Sequence, residues 1–174
     1  MNILFNQYVI LVLRVAHVAS GLMWVGSAVL YLFFLVPAAK SAGAAGQTFM
    51  QKFGPRVSPM MGVATTLTVI SGALLYSRFF VGGFKWIWTT GAGFGFTIGG
   101  FAALISYVMG VTIFGPTQGK IGALGTSMAE AGGAPRPEQI AEMERLQAYL
   151  MKTYRIDFVL LVIAVVAMAV ARYL

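Results

Sequence analysis

Along this chain the hydrophobic positions neither alternate nor form narrow stripes. They run in four long blocks, separated by short clusters of Gly, Pro and charge. Blocks of that length predict membrane-crossing helices, because a hydrocarbon core takes about 20 apolar residues per span. The first helix is expected over about residues 8–36, stopped by Pro37 ahead of Lys40. The stretch 38–59 is small and polar, and its Gly54-Pro55-Arg56-Val57-Ser58-Pro59 ending predicts an extended lead into a second helix over about residues 60–80. A short turn with Arg78, Gly82, Gly83 and Lys85 follows, then a third helix over about residues 86–114, with Trp86 and Trp88 in the interfacial belt. Residues 115–137, rich in Gly, Ala and Pro, read as a mobile connection. Pro137 then suits a first helical position, and Glu138, Glu142 and Glu144 lie near the positive end of a helix dipole. Ile140, Met143, Leu146, Leu150 and Tyr154 recur at helical spacing, and no breaker follows. One continuous fourth helix over about residues 138–173 is therefore expected, with about 18 residues, or about 27 Å, standing outside the bilayer core.

Composition agrees with the pattern. Of 174 residues, 59% are hydrophobic and 10% charged, against about 45–50% and about 25% in soluble domains. That excludes a disordered chain and leaves no length for a soluble catalytic domain. The fold class expected is all-α: a single polytopic membrane domain over residues 1–174, an antiparallel four-transmembrane-helix bundle with helix 4 extended into the cytoplasm. The first block lacks a basic n-region and a small-residue cleavage site, so it reads as a retained helix. The net charge is +7. Lys40, Lys52, Arg56, Lys120, Arg136, Arg145, Lys152 and Arg155 fall on the 1–2 and 3–4 connections, against Arg78, Lys85, Arg172 and Arg14 on the other side. Positive-inside then puts both termini outside the cytoplasm, in a plasma membrane of bacterial inner-membrane type. The basic residues read as topology signals and contacts to anionic lipid; no nucleic-acid-binding module is visible. Cysteine is absent, which removes disulfides, thiolate metal sites and iron–sulfur clusters.

Candidate chemistry concentrates on helix 1. Arg14, His17, Gly21, Trp24, Ala28 and Tyr31 fall three or four residues apart and so share one face. Ionisable groups in a membrane face the bundle and are functional candidates by default. Three roles are open to His17, the only histidine: a structural residue bonded to a neighbouring helix, a haem or metal ligand, or a group handling protons or quinone. Arg14 either snorkels to the outer interface or supplies a cation to an acidic ligand such as a propionate. Helix 3 carries Gly91, Gly95, Gly99, Ala103, Ser106 and Gly110 at roughly four-residue spacing, a surface for close helix approach or room for a flat cofactor. The hydroxyls of Thr65, Thr66, Thr68, Ser71 and Tyr76 on helix 2 are expected to bond mainly within their own helix. Arg155 and Asp157 read as an interfacial ion pair or anchor.

The run His17-x-x-x-Gly21-x-x-Trp24-x-Gly26, preceded by Arg14 and followed by aromatics and Pro37, resembles the first helix of a loose group of small membrane proteins. The group comprises copper-resistance-D-type proteins, the membrane segment of certain urate oxidases and HemJ-type protoporphyrinogen oxidases. The likeness covers about 30 residues closely and the other helices in outline. It implies haem b, with His17 as an axial ligand and Trp24 and Gly26 shaping the pocket. The sequence departs from that pattern in having no second histidine, so a sixth ligand must be another residue type, water, or a partner chain's histidine. His17 is expected about five residues, or about 7 Å, from the centre of helix 1. At that depth helix 2 offers Leu75 and Tyr76, helix 3 Phe94 to Thr97, and helix 4 Met168. The cofactor-binding set expected is thus His17, Arg14, Gly21, Trp24 and Met168, in a small b-type haem protein of electron transfer or membrane redox chemistry. The rival expectation is an accessory subunit of a membrane complex, docking through the helix 3 glycine face or residues 138–154. A transporter or channel would need more intramembrane carboxylates than the chain carries.

Overall fold

A computed structural model describes residues 6–174 of the protein. Among them, four helices are long and apolar enough to cross a membrane: helix 1 (Gln7–Ser41), helix 2 (Gly43–Phe80), helix 3 (Gly91–Glu130) and helix 4 (Pro137–Tyr173). A one-turn helix, Lys85–Thr89, joins helices 2 and 3. The four pack antiparallel as two tight hairpins, 1 with 2 and 3 with 4, which touch each other more sparingly. The chain is an integral membrane protein whose outer faces, such as Leu11, Val15, Val18 and Leu22 on helix 1, are exposed to lipid.

The helices are longer than their apolar blocks. At 35 to 40 residues each, they reach roughly 52–60 Å at 1.5 Å per residue, well beyond a hydrocarbon core of about 30 Å. Pro37 does not stop helix 1. The preceding turn, Tyr31–Leu35, widens to a π-turn in which the Val36 N–H bonds the Tyr31 carbonyl. Widening moves the carbonyl that a proline ring would strike and absorbs the missing donor. Helix 3 solves the same problem in the same way. Gly110–Phe114 is a π-turn ahead of Pro116, and the helix continues to Glu130. Residues 115–137 are therefore largely helical, not a mobile connection; a short turn with Gly132 at φ +65° leads into helix 4.

The stretch 38–59 is not an extended lead either. Ala42 and Gly43, the latter at φ +57°, make a tight turn, and helix 2 starts at once and runs through Pro55 and Pro59. Packing along helix 1 outweighs the local cost of the prolines, as tertiary contact commonly does. Gly54, ahead of Pro55, has no Cβ to clash with that ring. Helix 3 begins five residues later than the sequence suggests, because Thr90 is extended and its Oγ1 accepts the Gly93 N–H at 2.9 Å, a side-chain cap. Helix 4 is continuous as its pattern predicts, with Gln139 Oε1 accepting the Arg136 N–H at 3.0 Å before its first turn. At this loop end lies the single ion pair among the described residues, Arg145 Nε to Glu142 Oε2 at 2.7 Å. Arg145 holds the exposed Glu142 carboxyl below its usual range, first by hydrogen bonding.

Glycines set the helix spacing. A Cβ on Gly46 would lie 1.9 Å from the Ala39 carbonyl oxygen, across the first hairpin turn. Cβ atoms on Gly95 and Gly99 would lie 2.8 Å from Ala171 Cβ and 2.6 Å from Met168 Cγ. We expect Gly46→Ala to destabilise the bundle by about 1–3 kcal/mol, as overpacking against backbone does. Gly100→Ala, with nothing within 4 Å of its added Cβ, should leave the thermal unfolding midpoint in detergent unchanged or raised.

Candidate functional site

His17 lies where helix 1 crosses helix 2. Its ring rests on Gly72: a Cβ there would stand 2.7 Å from His17 Cε1 and 3.0 Å from Nδ1. Nδ1 is 2.8 Å from the Thr68 carbonyl oxygen. A carbonyl only accepts, so Nδ1 carries the hydrogen, and in the neutral ring Nε2 keeps its lone pair. The surrounding hydroxyls close the rest of the contact. Ser20 Oγ donates to the Ala16 carbonyl at 2.6 Å, and Thr68 Oγ1 lies 2.8 Å from both Ser20 Oγ and the Ala64 carbonyl. Thr68 thereby ties the two helices by side chain and by backbone. The register is set by the hairpin turn at Ala42–Gly43, so His17 meets Thr68 and Gly72 instead of Leu75 and Tyr76.

The other residues expected beside it are placed as follows. Gly21 leaves the Thr68 methyl 3.6 Å from where its Cβ would be, and Trp24 is 6% exposed, further along the same face. Gly26 has open space around it. Arg14 is exposed on helix 1. Met168 packs on Gly99 within the other hairpin. Helices 1 and 2 thus assemble one contact around His17 with Thr68, Gly72, Ser20 and Gly21, Trp24 is buried further along helix 1, and Met168 belongs to the helix 3–helix 4 contact. The His17 ring is fixed through Nδ1, which leaves the Nε2 lone pair as its remaining site for a proton or a ligand. Among the described residues no group of three His, Cys, Asp or Glu side chains fits a bare metal ion.

The two surfaces expected to dock partners are used within the chain. Gly95 and Gly99 lie against Ala171, Ala167, Ala164 and Met168 of helix 4, and Gly91 against Leu174 just beyond its end. Leu146 and Leu150 of the amphipathic stripe are buried, while Ile140 remains exposed. The helix 2 hydroxyls divide: Thr65, Thr68 and Ser71 bond their own helix, but Thr66 Oγ1 meets Tyr107 Oη at 3.2 Å and Tyr76 Oη meets Thr97 Oγ1 at 2.5 Å on helix 3.

A second polar cluster lies toward the loop end. Asp157 is 5% exposed and accepts a hydrogen bond from Ser106 Oγ. Arg155, two residues away and so on nearly the opposite side of the helix, is exposed and makes no pair with it. One turn before Asp157, the Tyr154 ring stacks on Phe114 at 4.4 Å and meets Tyr31 edge-on at 5.2 Å, and its hydroxyl accepts from Gln118 Nε2 at 3.3 Å. Both π-turns feed this cluster, helix 1 through Tyr31 and helix 3 through Phe114. Asp157 was detectable in the sequence as a carboxylate at the edge of an apolar run; its partner Ser106 was hidden among small residues that read as packing.

The fold and these sites define a small four-span helical membrane protein. Comparison with family models, curated proteins and solved structures finds no match to this chain. We expect Gly72→Ala to displace the His17 ring and cost about 1–3 kcal/mol. In a His17→Ala background the same change should be nearly neutral, so a double-mutant thermal-unfolding cycle measures the clamp directly.

Proposed function

We propose that the chain is a small b-type haem protein of the plasma membrane, serving electron transfer or membrane redox chemistry, with His17 Nε2 as an axial ligand. The observation that carries this reading is the hydrogen bond from His17 Nδ1 to the Thr68 carbonyl. A ligating histidine almost always donates its other ring N–H to a carbonyl or carboxylate, which fixes the tautomer and raises ligand basicity. A ring seated against Gly72 and held by this bond has little rotational freedom to lose on ligation. Arg14, one turn nearer the N-terminus, is the cation a propionate would pair with, and Trp24 would bound the site on its other side. Met168, the methionine expected at this depth, packs on Gly99 in the other hairpin, so the second ligand would be water or a partner chain's side chain. When bound, the haem would supply one-electron chemistry; the protein supplies the ligand, its orientation and a dry surrounding. By the positive-inside rule we place the loop end in the cytoplasm and both termini outside.

The accessory-subunit reading has less support, because its two docking faces are largely covered by the chain's own helices.

Oxidised and reduced absorption spectra with a pyridine haemochrome assay, on protein purified in mild detergent after haem-sufficient expression, decide between them. We expect stoichiometric haem b, lost in His17→Ala and unchanged in ligation state in Met168→Leu. A colourless, folded wild-type protein would overturn the haem assignment.

A further inference from the structure

The haem reading makes no use of Asp157, the chain's only aspartate. We propose that Asp157 and Ser106 form a proton-binding site at the loop end of the membrane core: the carboxyl holds a proton while helices 3 and 4 are in contact and exchanges it with water at that end.

Three observations carry this inference. The first is position. Asp157 begins an apolar run that continues to the end of helix 4, and it is buried between helices. The other four acidic residues, Glu130, Glu138, Glu142 and Glu144, all lie in the polar stretch 130–144 between the apolar blocks of helices 3 and 4. The second is the company it keeps. Helix 3 presents Ser106, a neutral donor that is itself 1% exposed. Helix 1 presents Tyr31 and Phe33, which meet Tyr154 and Phe158 on either side of it. Its own helix presents Tyr154, while Lys152 and Arg155 are exposed. Among the described residues no Lys, Arg or His nitrogen lies within 4.0 Å of its carboxylate. An anion with one neutral donor and no counter-charge is costly in such a place, so the site suits the neutral acid. Loss of the proton to water leaves a carboxylate that the closed contact cannot solvate.

The third observation is a polar route outward. Gln118 Nε2 donates to the Tyr154 hydroxyl, one turn nearer the loop end than Asp157 on helix 4, and the Tyr31 ring lies edge-on against Tyr154. Aromatic rings from both π-turns wall this route, and π-turns are frequent at functional sites. The inference stands on residues separate from His17, so it survives or fails independently of the haem assignment.

Because there is one aspartate, carboxyl-¹³C-aspartate labelling isolates Asp157 in the native full-length chain without mutation. Infrared spectra of labelled protein in lipid vesicles should show an isotope-shifted carbonyl stretch of a protonated carboxylic acid at neutral pH. We expect it to be replaced reversibly by carboxylate bands as pH rises, with the bundle still helical by circular dichroism. Ser106→Ala should raise the carbonyl frequency by removing the donor, and Asp157→Asn should abolish the band. Carboxylate bands alone at neutral pH would overturn the proposal. So would a carbonyl band that stays fixed at every pH at which the bundle is folded, which would mark a purely structural hydrogen bond.

Discussion

Close backbone approach between paired helices is the constraint on which this molecule depends. Lipid is as apolar as leucine, so hydrophobic burial supplies little drive for helix association once the helices are inserted. What remains is packing at short range and hydrogen bonding across the contact. The chain obtains the first from glycines whose missing side chains admit the neighbouring helix: Gly46 at the hairpin turn, Gly72 beneath His17, Gly95 and Gly99 against Ala171 and Met168. Each hairpin is tight for this reason, and the two hairpins meet more sparingly, mainly through hydroxyl pairs and aromatic edges.

The same approach sets the chemistry of His17. Only with Gly72 beneath it does the imidazole reach the Thr68 carbonyl, and that bond decides which ring nitrogen stays free. The site is therefore a property of the hairpin as a whole. Arg14, near in sequence, is exposed and outside the packed contact. A cofactor bound at His17 would extend a hydrogen-bond network already built into the fold.

At the other end of the core, paired π-turns do comparable work. Each lies just ahead of a proline and keeps its helix running past it. Each also turns an aromatic ring toward Tyr154, so that a device for tolerating proline becomes the wall of a polar cluster. Asp157 and Ser106 close that cluster where the membrane core begins, and the helices beyond carry the charged residues and the Glu142–Arg145 pair.

The amino-acid sequence by itself determined the class of fold: four apolar blocks, low charge and no cysteine leave a helical membrane bundle as the stable outcome, because every backbone polar group in lipid must be satisfied within the helix. It also determined that helix 4 runs unbroken, and it marked the face carrying His17, Gly21 and Trp24. The tertiary structure alone decided how far helices 1, 2 and 3 extend, since Pro37, Pro55, Pro59 and Pro116 are local breakers that π-turns and packing against a neighbour override. It alone decided that His17 meets Thr68 and Gly72, because register follows from a turn at Gly43 that the pattern of apolar residues does not locate. And it alone paired Asp157 with Ser106, 51 positions apart: whether a carboxyl finds a basic neighbour or a buried hydroxyl depends on which helix faces it, and that is fixed by close packing between helices.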